Sequence, residues 1–97
     1  MKTIDLNFIP TNRQGEQHII DYPAGRFLQE QLDKRISKER PALESSVANQ
    51  LAETNTFEIS EEPGANGELS DYEYIRRVVE QLDADNLLKG QILAAFD

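Results

Sequence analysis

The stretch TIDLNFI, residues 3–9, decides the fold class. In an extended chain Ile4, Leu6 and Phe8 point to one side, and Thr3, Asp5 and Asn7 to the other. Alternation with a period of two marks a strand with one buried face. The segment PTNRQG, residues 10–15, follows with the turn chemistry of Pro10, Asn12 and Gly15. EQHII, residues 16–20, can then return as the second strand of an N-terminal β-hairpin.

Beyond the hairpin the apolar period changes from two to that of a helix. Asp21 can cap a helix and Pro23 fits its first turn. Ala24, Phe27, Leu28, Leu32 and Ile36 recur at three- and four-residue spacing, while Glu30 and Lys34 form an i,i+4 pair outside. Pro41 stops this helix or opens the next. Residues 42–53 carry Leu43, Val47, Ala48 and Leu51, a second and shorter helix. NTFEIS, residues 55–60, alternates again through Phe57 and Ile59 and reads as a short third strand. Ser70 and Glu73 make a capping box ahead of the apolar face Ile75, Val78, Val79 and Leu82. Residues 83–86 break that helix. NLLKGQILAAFD, residues 86–97, then lines up Leu88, Ile92, Ala95 and Phe96, a helix expected to run to residue 97. That stripe is either core or a groove-binding or dimer-forming face, and Phe96 must dock or fray.

The expected architecture is therefore α+β: an N-terminal β-hairpin plus a short third strand packed with about four helices. Two strands alone are not stable, so the hairpin is expected to pack on the helices. At 97 residues the chain reads as a single domain over 1–97, with a flexible acidic connector at about 61–69.

Composition narrows the function. The net charge is -8, and it lies wholly in the second half. Seven acids and seven bases balance in residues 1–48, and eleven acids face three bases in residues 49–97. Phosphate binding needs clustered Lys and Arg, so direct nucleic-acid binding and an anionic membrane surface are disfavoured. There is no cysteine, which removes disulfides and thiolate chemistry and fits a reducing compartment. MKTIDLNF carries no continuous apolar region of a secretory signal, and no run approaches a membrane span. A cytoplasmic protein is expected.

Catalytic patterns fail one by one. His18, the one histidine, sits beside the expected turn and reads as an edge histidine. No serine stands in a nucleophile elbow. DADN, residues 83–86, starts like a calcium loop, but Leu88 and Ala94 stand where Gly and Glu are needed. A helix cap explains it. Gly64 and Gly67 match no phosphate-binding loop. Glu61 and Glu62 are adjacent but lie in a Gly- and Pro-containing stretch, unlike a catalytic carboxylate pair in a cleft. No enzyme activity, cofactor or metal is expected.

What remains is SEEPGANGELSDYEY, residues 60–74, with five acids and no base. Glu61, Glu62, Glu68, Asp71 and Glu73 form a candidate acidic surface, with Tyr72 and Tyr74 as candidate aromatic anchors. Such a surface steers toward a basic protein partner.

Taken together, the I-x-L-x-F strand, the turn ending in Gly15, AGRFLQEQL, FEIS and LLKGQILAAF are similar to a set of small phage and prophage proteins. The likeness runs over most of the chain and rests on short apolar patterns. EEPGANGEL departs from it, because it interposes between the FEIS strand and the next helix. The resemblance implies a small accessory protein without assigned activity and brings no catalytic residue. The reading is a non-enzymatic, acidic phage- or mobile-element-type accessory protein acting through protein–protein contacts, as a monomer or weak dimer. The alternative is an acidic DNA mimic that inhibits a nucleic-acid-binding protein.

Overall fold

The computed structural model describes residues 1–11 and 20–97. The order of elements is β1 (Lys2–Asp5), α1 (Ala24–Arg35), α2 (Pro41–Thr54), β2 (Thr56–Ile59), α3 (Asp71–Glu80) and α4 (Asn86–Ala94). A single 3₁₀ turn, Ala65–Gly67, lies between β2 and α3. The fold of the described residues is α+β with four α-helices.

Among the described residues the sheet is two-stranded and antiparallel, and β1 pairs with β2 from Lys2 opposite Ile59 to Asp5 opposite Thr56. The strand expected at residues 55–60 is thus the partner of β1. The expected return strand of the hairpin, residues 16–20, lies outside the described residues apart from Ile20, which is buried and in no strand. His18 also lies outside them. Three strands are therefore not seen among the described residues, and the sheet closes by a contact across more than fifty residues of sequence.

Alternation works as its period requires. Ile4 and Leu6 of the first strand segment, and Phe57 and Ile59 of the second, are buried, while Thr3, Asp5 and Glu58 are exposed. The chain turns from α2 into β2 through Asn55, at φ 59, a left-handed conformation that asparagine tolerates. Gly25 must be glycine here, because a Cβ would meet Asn55 Cα at 2.8 Å.

The helices bury the expected stripes. Ala24, Phe27, Leu28 and Leu32 of α1 pack on Val47, Ala48 and Leu51 of α2 in one core. Both boundaries of α1 differ from expectation. Pro23 occupies the N-cap position of α1 without a side-chain cap, so Asp21 is not the cap. Helix α1 ends at Arg35, and Ile36, turned out of the helix at φ 15, is 37 % exposed rather than part of the stripe. Ser70 caps α3, its Oγ accepting from the Glu73 N–H at 3.1 Å, and Asp85 caps α4, its Oδ1 accepting from the Leu87 N–H at 2.8 Å.

Leu88, Ile92 and Phe96 are buried, so the C-terminal stripe belongs to the core. Helix α4 stops at Ala94, and Phe96 is docked by several partners. Its ring meets Phe57 at 6.0 Å and Tyr72 at 5.8 Å. Its carbonyl accepts from Lys2 Nζ at 2.5 Å and from the Tyr72 hydroxyl at 2.6 Å. No helix among the described residues is long and apolar enough to cross a membrane.

Candidate functional site

The acidic stretch is a closed loop. The carbonyl of Ser60 accepts from the Tyr72 N–H at 3.0 Å, which draws the two ends of residues 61–71 together. Inside it, the Gly64 N–H donates to the Glu68 carbonyl at 3.1 Å, and the Glu68 N–H to the Ala65 carbonyl at 3.2 Å. The inner turn passes through two left-handed residues, Asn66 at φ 57 and Gly67 at φ 80. A surface loop of this length with joined ends and internal bonds has the form of an Ω-loop.

A second set of contacts ties the loop to the helices. The Arg40 guanidinium donates to the Leu69 carbonyl at 2.6 Å and to Asp71 Oδ1 at 3.1 Å. It also lies 4.9 Å from the centre of the Tyr74 ring. A planar guanidinium can reach two acceptors and a ring face at once, which a lysine ammonium cannot.

The seven candidate residues are sorted by this geometry. Glu61, Glu62, Glu68 and Glu73 are exposed and have no ion-pair partner among the described residues. Asp71 is half-buried and neutralised by Arg40. Tyr72 is half-buried, with its hydroxyl committed to the Phe96 carbonyl. Tyr74 is buried at 6 % exposure, and it is a core residue rather than a surface anchor. The reason is helical spacing: Tyr74 lies four residues before Val78, on the same inward face.

Tyr74 leads to a residue that sequence reasoning missed. Glu44 of α2 is completely buried. The Tyr74 hydroxyl donates to Glu44 Oε2 at 2.6 Å, and the Ser37 hydroxyl lies 2.7 Å from the same phenol oxygen. Glu44 Oε1 takes no hydrogen bond among the described residues but stands 3.4 Å from Arg35 Nε. Burial pushes the Glu44 carboxyl up, yet hydrogen bonding by Ser37 and Tyr74 and the Arg35 charge outweigh it and hold the group below its ordinary value. The signal was available in sequence. Glu44 stands three, four and seven residues before Val47, Ala48 and Leu51, on their stripe.

The outer side of α3 carries an open groove of about 470 Å³ lined by Tyr72, Glu73, Arg76, Arg77, Glu80 and Gln81. Its charge is mixed. Arg76 is paired with Asp97 at 2.9 Å and reaches Glu80 at 3.9 Å, while Arg77 is exposed. The acidic surface therefore ends at the first turn of α3. Among the described residues, no group of three or more His, Cys, Asp or Glu is arranged to hold a metal ion.

No family model matches the chain, and no curated protein or solved structure does either.

Proposed function

We propose that this chain is a small accessory protein, of the phage or mobile-element type, that works in the cytoplasm by docking its acidic loop on a basic face of another protein. The observation that supports this reading is the closed loop itself. Glu61, Glu62, Glu68 and Glu73 are exposed and unpaired on a segment whose ends are joined by the Ser60–Tyr72 bond. Carboxylates on a pre-formed loop lose less entropy on binding than carboxylates on a loose linker. Their charge speeds encounter with a lysine- or arginine-rich surface. The DNA-mimic alternative draws less support, because Arg76 and Arg77 interrupt the row of carboxylates one turn into α3.

The test is a comparison of the wild-type protein with a Glu61→Lys, Glu62→Lys, Glu68→Lys, Glu73→Lys variant. Each is used as bait in a lysate of the source cells, bound proteins are identified, and the purified candidate is titrated. The expected result is a basic protein bound by the wild type, lost by the variant, with affinity that weakens as salt rises. Equal binding by both baits overturns the assignment of the surface. Binding abolished by competing duplex DNA shifts the reading to the mimic.

A further inference from the structure

We infer that Arg40 is a positioning residue that couples the acidic loop to the buried Glu44–Tyr74 pair, so that the loop is held closed through that pair. This goes beyond the proposed contact surface and holds whether or not a partner is present.

Four features of Arg40 carry it. Its guanidinium holds the loop at two points, the Leu69 carbonyl and Asp71. The same guanidinium lies against the ring of Tyr74. Its backbone carbonyl accepts from the Glu44 N–H at 3.1 Å, because Arg40 is the N-cap residue of α2. Its own N–H points at Ser37 Oγ, at 3.5 Å. Thus one residue touches the loop, the α1–α2 connection, the start of α2 and the inward face of α3. Its side chain is 22 % exposed, so its contacts are shielded more than those of an ordinary surface pair.

The buried end of the network is stiff. Tyr74 cannot swing its ring out of the core without breaking its hydroxyl bond to a completely buried carboxylate, and an unsatisfied buried charge is costly. The ring therefore offers Arg40 a fixed platform. The loop is held less firmly: Glu61, Glu62, Pro63 and Glu68 are all exposed, and beyond the Ser60–Tyr72 closure only the partly buried Leu69 packs on the core. Local openings follow such differences in burial and bonding. Removing the guanidinium should release the loop while leaving the core closed.

Native-state hydrogen exchange on the full chain tests this, read at the loop amides Gly64, Glu68 and Tyr72, each bonded to a backbone carbonyl, and at core amides such as Val78 and Leu51. In Arg40→Lys the loop amides are expected to exchange roughly 10- to 100-fold faster, the range of a lost bond to a charged group, with the core amides unchanged. Tyr74→Phe alone should speed the same loop amides. In the double variant the two effects should combine to less than their product, because they act on one network. Loop exchange at the wild-type rate in Arg40→Lys overturns the inference. So does equal acceleration of loop and core amides, which would make Arg40 a contributor to global stability only. Fully multiplicative effects in the double variant would remove the coupling through Tyr74.

Discussion

The Tyr74 hydroxyl donates a 2.6 Å hydrogen bond to Glu44 Oε2, joining α3 to α2 through a completely buried carboxylate. The pair lies thirty residues apart in the chain and links the two halves of the core. Tyr74→Phe keeps the ring and deletes the donor, so a buried charge loses a partner. The expected loss is about 1–3 kcal/mol in urea unfolding. Tyr72→Phe removes a bond to a neutral carbonyl at Phe96 and should cost less, about 0.5–1.5 kcal/mol. Equal losses in the two variants would contradict the buried-charge argument.

The same carboxylate should make stability fall in acid. Its pKa in the folded state is depressed relative to the unfolded chain, so its ionisation favours folding above the unfolded value. That contribution is fully present at neutral pH and is lost as pH drops through the glutamate range, about 4.3, and below. Glu44→Gln lacks it. The difference in urea midpoint between wild type and Glu44→Gln should therefore be largest near pH 7 and shrink toward pH 3. A difference independent of pH would show that the carboxyl has the same pKa in the folded and unfolded chain, and one that grows toward pH 3 would show that the fold raises it.

Two glycines should respond to alanine with opposite signs. At Gly64 a Cβ would meet Glu68 Cβ at 2.8 Å and the Glu68 carbonyl oxygen at 3.1 Å, across the bond that closes the inner turn. Gly64→Ala should speed exchange at Gly64-loop amides and lower stability by roughly 1 kcal/mol. At Gly90, inside α4, nothing lies within 4 Å of an added Cβ. Gly90→Ala should stabilise the protein by about 0.5–1 kcal/mol, because a helical glycine loses more backbone freedom on folding. Thermal melts of both variants give the signs directly.

Phe96 should be among the most sensitive positions. Its ring is fully buried against Phe57 and Tyr72, and Phe96→Ala should cost about 3–5 kcal/mol. Leu87, nine residues earlier on the same C-terminal segment, is 41 % exposed, and Leu87→Ala should stay within about 0.5 kcal/mol of wild type. Urea unfolding of the two variants separates core from surface within one C-terminal segment. Comparable losses would place Leu87 in the core as well.

Most of each element's inward face was legible in the residue pattern, with Phe8 and Ile36 less buried and Tyr74 and Glu44 more buried than their neighbours' periods suggested. Ile4 and Leu6, Phe27 and Leu28, Val47 and Leu51, Ile75 and Val78, and Leu88 and Ile92 are all buried where their periods put them. The cap at Ser70 was legible, and residues 83–86 were read as holding a helix cap, which is Asp85, while Asp21 was not the cap it resembled. These are local properties: a period of two or 3.6 and a capping side chain act within a few residues, so neighbouring letters suffice to read them.

Tertiary structure alone decided which elements meet. The pairing of Lys2–Asp5 with Thr56–Ile59, the bond from Lys2 to the Phe96 carbonyl across 94 positions, and the clamp of Arg40 on Leu69 and Asp71 join residues that no local pattern connects. The same holds for the candidate site. Seven residues were marked by charge and aromatic content, and packing then divided them into four free carboxylates, one neutralised carboxylate, one half-buried tyrosine and one core tyrosine. Whether a charge is free or paired depends on what the fold brings beside it, and that is set by long-range contacts rather than by neighbours in the chain.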